Sequence, residues 1–138
     1  MAERFAAALL ASIEAALAEA DLEPRDLLAR TIDAYLRVVE DDANVYRYIF
    51  SEAGGLGSEQ KGFVQALAGR IAIVIGERLR QVGADSGPAE PWAFALIGMA
   101  HFAGDWWIDR RTLSRERLVD YLVLLSWDGL ASVADPPR

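Results

Sequence analysis

The chain reads as an all-α domain, and three features of the sequence say so. Apolar residues recur at steps of three and four along most of its length, the period of an amphipathic helix. No stretch alternates apolar and polar residues long enough to make a strand. Proline, glycine and polar clusters cut the pattern into about six helical segments. The expected architecture is an orthogonal or antiparallel bundle of about six helices, the last two forming a four-helix dimer interface.

The first segment carries Phe5, Leu9, Ile13, Ala16, Leu17 and Ala20 on one stripe, with alanine, the best helix former, between them. "DLEP" (residues 21–24) breaks it. Pro24 then sits where a first-turn proline is tolerated. The second helix turns Leu28, Ile32, Tyr35, Leu36 and Val39 inward. It ends near "EDDAN" (residues 40–44), whose polar side chains suit the cap of a short third helix, "VYRYIFSEA". That helix shows Val45, Tyr46, Ile49 and Phe50 on one face.

"GGLG" (residues 54–57) stops the third helix, and Ser58 is the expected cap of a fourth running to about residue 82. Its stripe is Phe63, Leu67, Ile71, Val74, Ile75, Leu79 and Val82. Gly83 ends it, and "GADSGPAEP" is a loop. Pro91 is expected to open the fifth helix, which closes on Arg110 and Arg111, cations suited to the negative end of a helix. Ser114 caps a sixth helix with Glu116 in its first turn, and "DPPR" cannot continue it.

Composition narrows the functional classes. With 138 residues, 53% of them hydrophobic and 25% charged, the chain is long and apolar enough for one domain, 1–138, with its own core. A net charge of −7 repels phosphate backbones and anionic membranes. The chain has no cysteine, which removes disulfides, thiolate metal sites and cysteine nucleophiles and fits a cytoplasmic setting. The longest aliphatic run, "IAIVI", is far too short to span a membrane. No Glu-x-x-His pair, glycine-flanked serine turn or phosphate loop is present, so no metal, cofactor or enzymatic role is expected.

The last two helices carry more apolar surface than one core needs. Every residue over 121–125 is apolar and Trp127 follows, so the sixth helix has an apolar side left for a second copy to cover. On the fifth, Ala93, Ile97, Ala100 and Gly104 lie on one line, three of them small. The line suits either a close contact inside the subunit or an isologous two-fold interface that also takes in Tyr121, Leu124 and Leu125. The interface is the expectation followed here.

"GMAHFAGDWWIDRR" (residues 98–111) adds the chain's one histidine and two adjacent tryptophans. His101 and Asp105, four apart, share a helix face. Trp106 and Trp107 are about 100° apart, so one faces inward and the other an edge or interface. Tyr46, Phe50, Phe63, Trp92, Phe94 and Trp106 fall on three helices. Converging faces would line an apolar cavity with His101 and Tyr35 as polar handles; diverging faces would make an aromatic core. Arg110, Arg111, Arg115 and Arg117 are expected to pair with Asp109, Glu116 and Asp120.

Residues 93–130, with their small-residue helix, "DWW" followed by arginines, serine-capped last helix and "LLSWDGL", resemble the C-terminal regulatory domain of TetR/AcrR-type transcriptional repressors. "NVYRYIFSEA" (residues 44–53) resembles the short helix and turn of the same domain. The resemblance implies a homodimer joined by the last two helices and an effector bound in each subunit. Effector binding would move two helix-turn-helix readers apart and release the operator. With the aromatic clustering, it points to Phe5, Leu9, Tyr35, Tyr46, Phe50, Phe63, Trp92 and His101 as the pocket of a small apolar effector. Nothing before Asp21 supplies a reader with a basic recognition helix, so this chain is expected to make no direct DNA contact. Two alternatives stand beside that reading: a readerless protein that forms mixed dimers with full-length relatives, and a small helical enzyme using His101 and Asp105.

Overall fold

The computed structural model describes residues 2–18, 23–49 and 57–128, with side chains over 7–18, 23–47, 62 and 64–128. Among the described residues the fold is all-α. Six helices appear in the expected order: α1 (Ala2–Leu17), α2 (Pro24–Asp41), α3 (Ala43–Ile49), α4 (Gly57–Gln81), α5 (Ala89–Arg110) and α6 (Arg115–Val123). α4 packs along α5 and α1 along α2, while α2 also lies against α5 and α6. α2 is therefore the central rod, which explains its stripe: Ile32, Tyr35, Leu36 and Val39 are buried as expected, whereas Leu27 takes the buried place expected of Leu28, which is half-buried.

The helix ends follow local chemistry. Pro24 begins α2, where no intrahelical donor is needed. The Asp42 amide donates to the Val38 carbonyl at 3.1 Å, and its own carbonyl accepts from the Tyr46 amide at 2.8 Å. One residue thus closes α2 and opens α3, which forces a sharp change of direction. α4 ends as the sequence indicates. Gly83 takes φ +75°, the Ala84 amide donates to the Leu79 carbonyl at 2.9 Å, and the Gly83 amide to that of Arg80 at 3.0 Å. Those two bonds are the Schellman pattern, and the left-handed residue between them suits glycine.

Three boundaries differ from expectation. α4 starts at Gly57, so Ser58 lies within its first turn rather than before it. α5 starts at Ala89, two residues before Pro91, because the first-turn amides of a helix are free of intrahelical bonds and tolerate a proline. α6 keeps α-geometry only to Val123 and continues as a π-helical turn, Leu124–Asp128. There the Ser126 hydroxyl donates to the Leu122 carbonyl at 2.7 Å, competing with the backbone ladder. The expected continuation past residue 128 lies outside the described residues.

Ser114 caps α6 as expected, its hydroxyl accepting from the Arg117 amide at 3.2 Å. The core runs through Leu9, Ile13, Leu36, Val39, Tyr46, Leu67 and Trp107, which are essentially inaccessible to solvent. Of the fourth-helix stripe, Leu67 and Ile71 join it, whereas Val82 falls beyond the helix end and is exposed.

Candidate functional site

The structure divides the fifth-helix stretch by face. Trp107 points inward and donates its indole N–H to the Leu113 carbonyl at 2.7 Å, while Trp106 lies on the outside. Ala93, Ala100 and Gly104 are buried within this one chain. Gly104 faces α2 so closely that a Cβ there would meet Leu36 Cδ2 at 3.4 Å and Tyr35 Cε1 at 3.7 Å. Three members of the expected interface line, Ala93, Ala100 and Gly104, thus face the interior of their own subunit. Gly104 admits α2 inside the subunit, Ala93 and Ala100 lie in the core, and Ile97 is half-buried against that core.

The α5 side left open is aromatic: Phe94, Phe102 and Trp106, with Gly98 between them and empty space where its Cβ would stand. Tyr121, Leu124, Leu125 and Trp127 are likewise exposed on the last segment, whereas Leu118, Val119, Leu122 and Val123 face the core. The two-sided apolar character read from the last helix is present. The bulky outer line on α5 falls at i, i+8 and i+12, with Gly98 at i+4, and is spaced like the small-residue line beside it.

The close α2–α5 approach at Gly104 places Tyr35 beside a polar chain. The Tyr35 hydroxyl lies 3.3 Å from the Tyr46 hydroxyl, which lies 2.6 Å from His101 Nδ1 and 3.3 Å from the His101 carbonyl oxygen. On the outer side, His101 Nε2 stands 3.7 Å from an Asp105 carboxylate oxygen. The Tyr46 and His101 rings meet edge to face at 5.9 Å, and Phe102 covers the imidazole at 5.1 Å. Burial pushes both phenols well above the usual tyrosine range, with the Asp105 charge adding to it. Both therefore stay protonated near neutral pH and act as hydroxyl donors. The Tyr46 hydroxyl and His101 Nδ1 share a hydrogen bond of 2.6 Å whose donor is set by the imidazole tautomer.

Tyr35, Tyr46 and His101 are thus joined in one hydrogen-bonded chain, and Leu9 is buried in the hydrophobic core. Trp92 is not. It is 51% exposed, and nine residues from His101 place it on the opposite face of the same helix. Phe94 and Trp106 are also outward, so these aromatic faces do not converge on one cavity. Phe5, Phe50 and Phe63 lie outside the described side chains. A groove of about 410 Å³ opens elsewhere, between α2 and α6. It is lined by Asp26, Arg30, Asp33, Glu116 and Asp120 together with Ala29 and Val119, so charged residues outnumber apolar ones.

Arg111 and Arg115 find acidic partners, though not mainly the expected ones, and Arg117 meets the Tyr121 hydroxyl. Arg115 reaches back to Asp33 at 2.9 Å and to Glu40, and Arg111 joins Glu40 at 2.9 Å while stacking over Trp107. Of the expected acids, Glu116 lies 3.6 Å from Arg115, and Asp109 pairs with Arg47. The cluster ties the α5–α6 turn to α2 rather than offering charge to a phosphate. Arg47 also donates to the Ile108 carbonyl at 2.7 Å, fastening α3 to the end of α5 next to Tyr46. Its cross-helix partners could not be read from neighbouring sequence.

Comparison with known proteins agrees with this architecture. The model of the family described as "Tetracyclin repressor-like, C-terminal domain" matches residues 12–138. Two proteins from two strains of Mycobacterium tuberculosis, the "Uncharacterized HTH-type transcriptional regulators" MT0489 and Rv0472c, are each 27% identical over 128 residues. The match covers 92% of this chain and 54% of each relative, so the chain spans about half the length of the curated relatives it matches. With a helical bundle in the expected order and a family match over nearly its whole length, the chain belongs to the tetracycline-repressor-like C-terminal domain family.

Proposed function

We propose that this chain is the effector-sensing and dimerisation domain of a TetR-like transcriptional regulator acting in the cytoplasm. The observation that carries the reading is the Tyr35–Tyr46–His101 chain, a line of hydrogen-bonding groups crossing an otherwise apolar core and linking α2, α3 and α5. A ligand seated there contacts three helices at once, so it can favour one packing of them over another. That differential affinity is what an effector requires, since equal binding to both arrangements shifts nothing. The regulatory output passes to DNA-reading helices of the kind named in the relatives' descriptions, in an assembly of two subunits.

Dimerisation uses the outer face of α5 and the last segment: Phe94, Phe102 and Trp106 with Tyr121, Leu124 and Leu125. Exposed large apolar side chains in this number are uncommon on a monomer, and a second copy is their economical cover. Catalysis fits the geometry poorly. His101 Nδ1 is occupied by Tyr46, and the 3.7 Å gap to Asp105 is too long for an orienting hydrogen bond.

The test is a thermal-shift screen of the intact chain against small apolar compounds, repeated with Tyr46→Phe. A native-state binder raises the melting temperature. A compound that stabilises the wild type and loses most of its effect in the variant supports effector sensing at this place. Binders unaffected by Tyr46→Phe would move the site elsewhere, and a screen with no binders would remove the reading.

A further inference from the structure

We infer that the exposed ridge of α6 and its last turn docks on the same ridge of a second copy in antiparallel register, Arg117 of each copy meeting the partner's Asp128. The inference rests on the dimerisation reading above and adds its register and the charges that select the partner.

Arg117, Tyr121, Leu124 and Asp128 fall at i, i+4, i+7 and i+11, one line along the helix, and all four are exposed. The line lies opposite the buried one, Leu118, Val119, Leu122 and Val123. It is apolar in the middle and oppositely charged at its two ends. Glu116 and Asp120, also exposed on this helix, line the groove toward α2 instead.

Arg117 and Asp128 cannot satisfy each other inside one subunit. Their separation along the helix, at about 1.5 Å per residue, is roughly 16 Å. Near neighbours hold each of them. The Arg117 guanidinium donates to the Tyr121 hydroxyl at 3.2 Å and lies 5.6 Å from the centre of that ring. Arg25 donates to both Asp128 carboxylate oxygens, at 3.1 and 3.2 Å. Each keeps capacity for a further partner, since a guanidinium carries about five donors and a carboxylate about four acceptor sites.

A two-fold axis crossing the helix between Leu122 and Val123 sets Tyr121 over the partner's Leu124 and Arg117 over the partner's Asp128. The two charges are equally far from that midpoint, so each contact occurs twice and opposite charges meet at both ends. A parallel arrangement sets Arg117 against the partner's Arg117 and Asp128 against the partner's Asp128, which like charge disfavours. The ridge is therefore self-complementary in one direction alone. That pattern fits a second copy of this chain better than a plain apolar partner.

The experiment mixes two single variants of the intact chain, Arg117→Glu and Asp128→Arg, at low ionic strength and counts self and mixed pairs by native mass spectrometry. In either variant alone, like charges meet at both ends; in a mixed pair, both contacts join opposite charges. The dimer Kd of each variant alone is expected to rise about tenfold, and mixed pairs to make up about nine tenths of the dimers, against about half for random pairing. Salt at about 0.5 M is expected to return the fraction toward random. Random pairing with a dimeric wild type overturns the register and leaves dimerisation standing. A monomeric wild type removes the dimerisation reading itself, and this inference with it.

Should Asp128→Arg fail to fold, Arg117→Gln and Asp128→Asn give the same answer. Each is expected to raise the dimer Kd about threefold, and the two combined to do no more than either alone, because the second removes a partner already lost. Additive effects overturn the inference.

Discussion

At the scale of single residues, one hydroxyl holds the centre of the molecule. Tyr46 serves Tyr35 and His101 together, so Tyr46→Phe removes two contacts with one atom. The expected cost is about 1.5 kcal/mol in urea unfolding, a buried hydrogen bond plus a partly stranded partner. The pH dependence follows from the raised phenol pKa values. The unfolded chain loses these protons near the ordinary tyrosine value of about 10, while the folded chain still holds them. Above that pH the unfolded state is the one favoured by deprotonation. The stabilisation is thus complete below about pH 10 and declines as pH climbs toward the higher folded values. Between pH 9 and pH 11 the wild type is expected to lose stability more steeply than Tyr35→Phe/Tyr46→Phe, by up to about 1.4 kcal/mol per pH unit for each tyrosine removed. Parallel curves would contradict this account. Tyr35 and His101 were legible in the sequence as polar handles because each stands on an apolar helix. Tyr46 was legible as a member of the same group, but that its hydroxyl bonds both of them was not. It depends on the direction α3 takes from Asp42, and a residue shared by two helices has no one-dimensional signature.

At the scale of elements, what the sequence revealed and what it hid separate cleanly. Helix identity follows period, and caps follow chemistry. Ser114 was readable as a cap because serine, an acidic first turn and an apolar run coincide. Ser114→Ala is expected to destabilise α6 by about 1 kcal/mol, measured as a shift in the urea midpoint at unchanged slope. The facing of α5 was harder, because both its sides are apolar and a helical wheel does not say which one meets α2. Its two glycines resolve the matter physically. Gly104 lies against Leu36 and Tyr35, and Gly98 meets nothing within the subunit. Gly104→Val is expected to cost about 2 kcal/mol, since branched bulk drives α2 away from α5 and pulls Tyr35 from Tyr46. Gly98→Ala is expected to add up to about 1 kcal/mol to the stability of an isolated subunit, through helix propensity alone. If Gly98→Val were the more damaging of the two valine substitutions in a monomeric background, the assignment of faces would be reversed.

At the scale of the whole molecule, the argument turns on what covers the outer face. Within the subunit, Phe102 is 72% exposed, and Tyr121, Leu124, Leu125 and Trp127 stand open along the last segment. Gly104 of the inner line already lies against α2, so in the proposed dimer a partner meets the bulky aromatic line, with Gly98 as the gap between its rings. Charge placed on that line opposes association while leaving the core untouched, because these side chains contribute little to the subunit's own packing. Phe102→Glu combined with Leu125→Glu is therefore expected to convert a dimer into a folded monomer. Light scattering at micromolar concentration should read twice the 15.1 kDa subunit mass for the wild type and a single subunit for the double variant. Both should keep the same helical circular dichroism. Each glutamate that would face its symmetry mate is desolvated and meets like charge across a two-fold axis, so dissociation should be complete rather than graded. Ala100→Glu gives the contrast. Its side chain would enter the core, so it should unfold the subunit instead of separating two intact ones. A wild type that scatters as one subunit would show that the aromatic line serves a different partner. A double variant that remains dimeric would show that the two copies meet on another face.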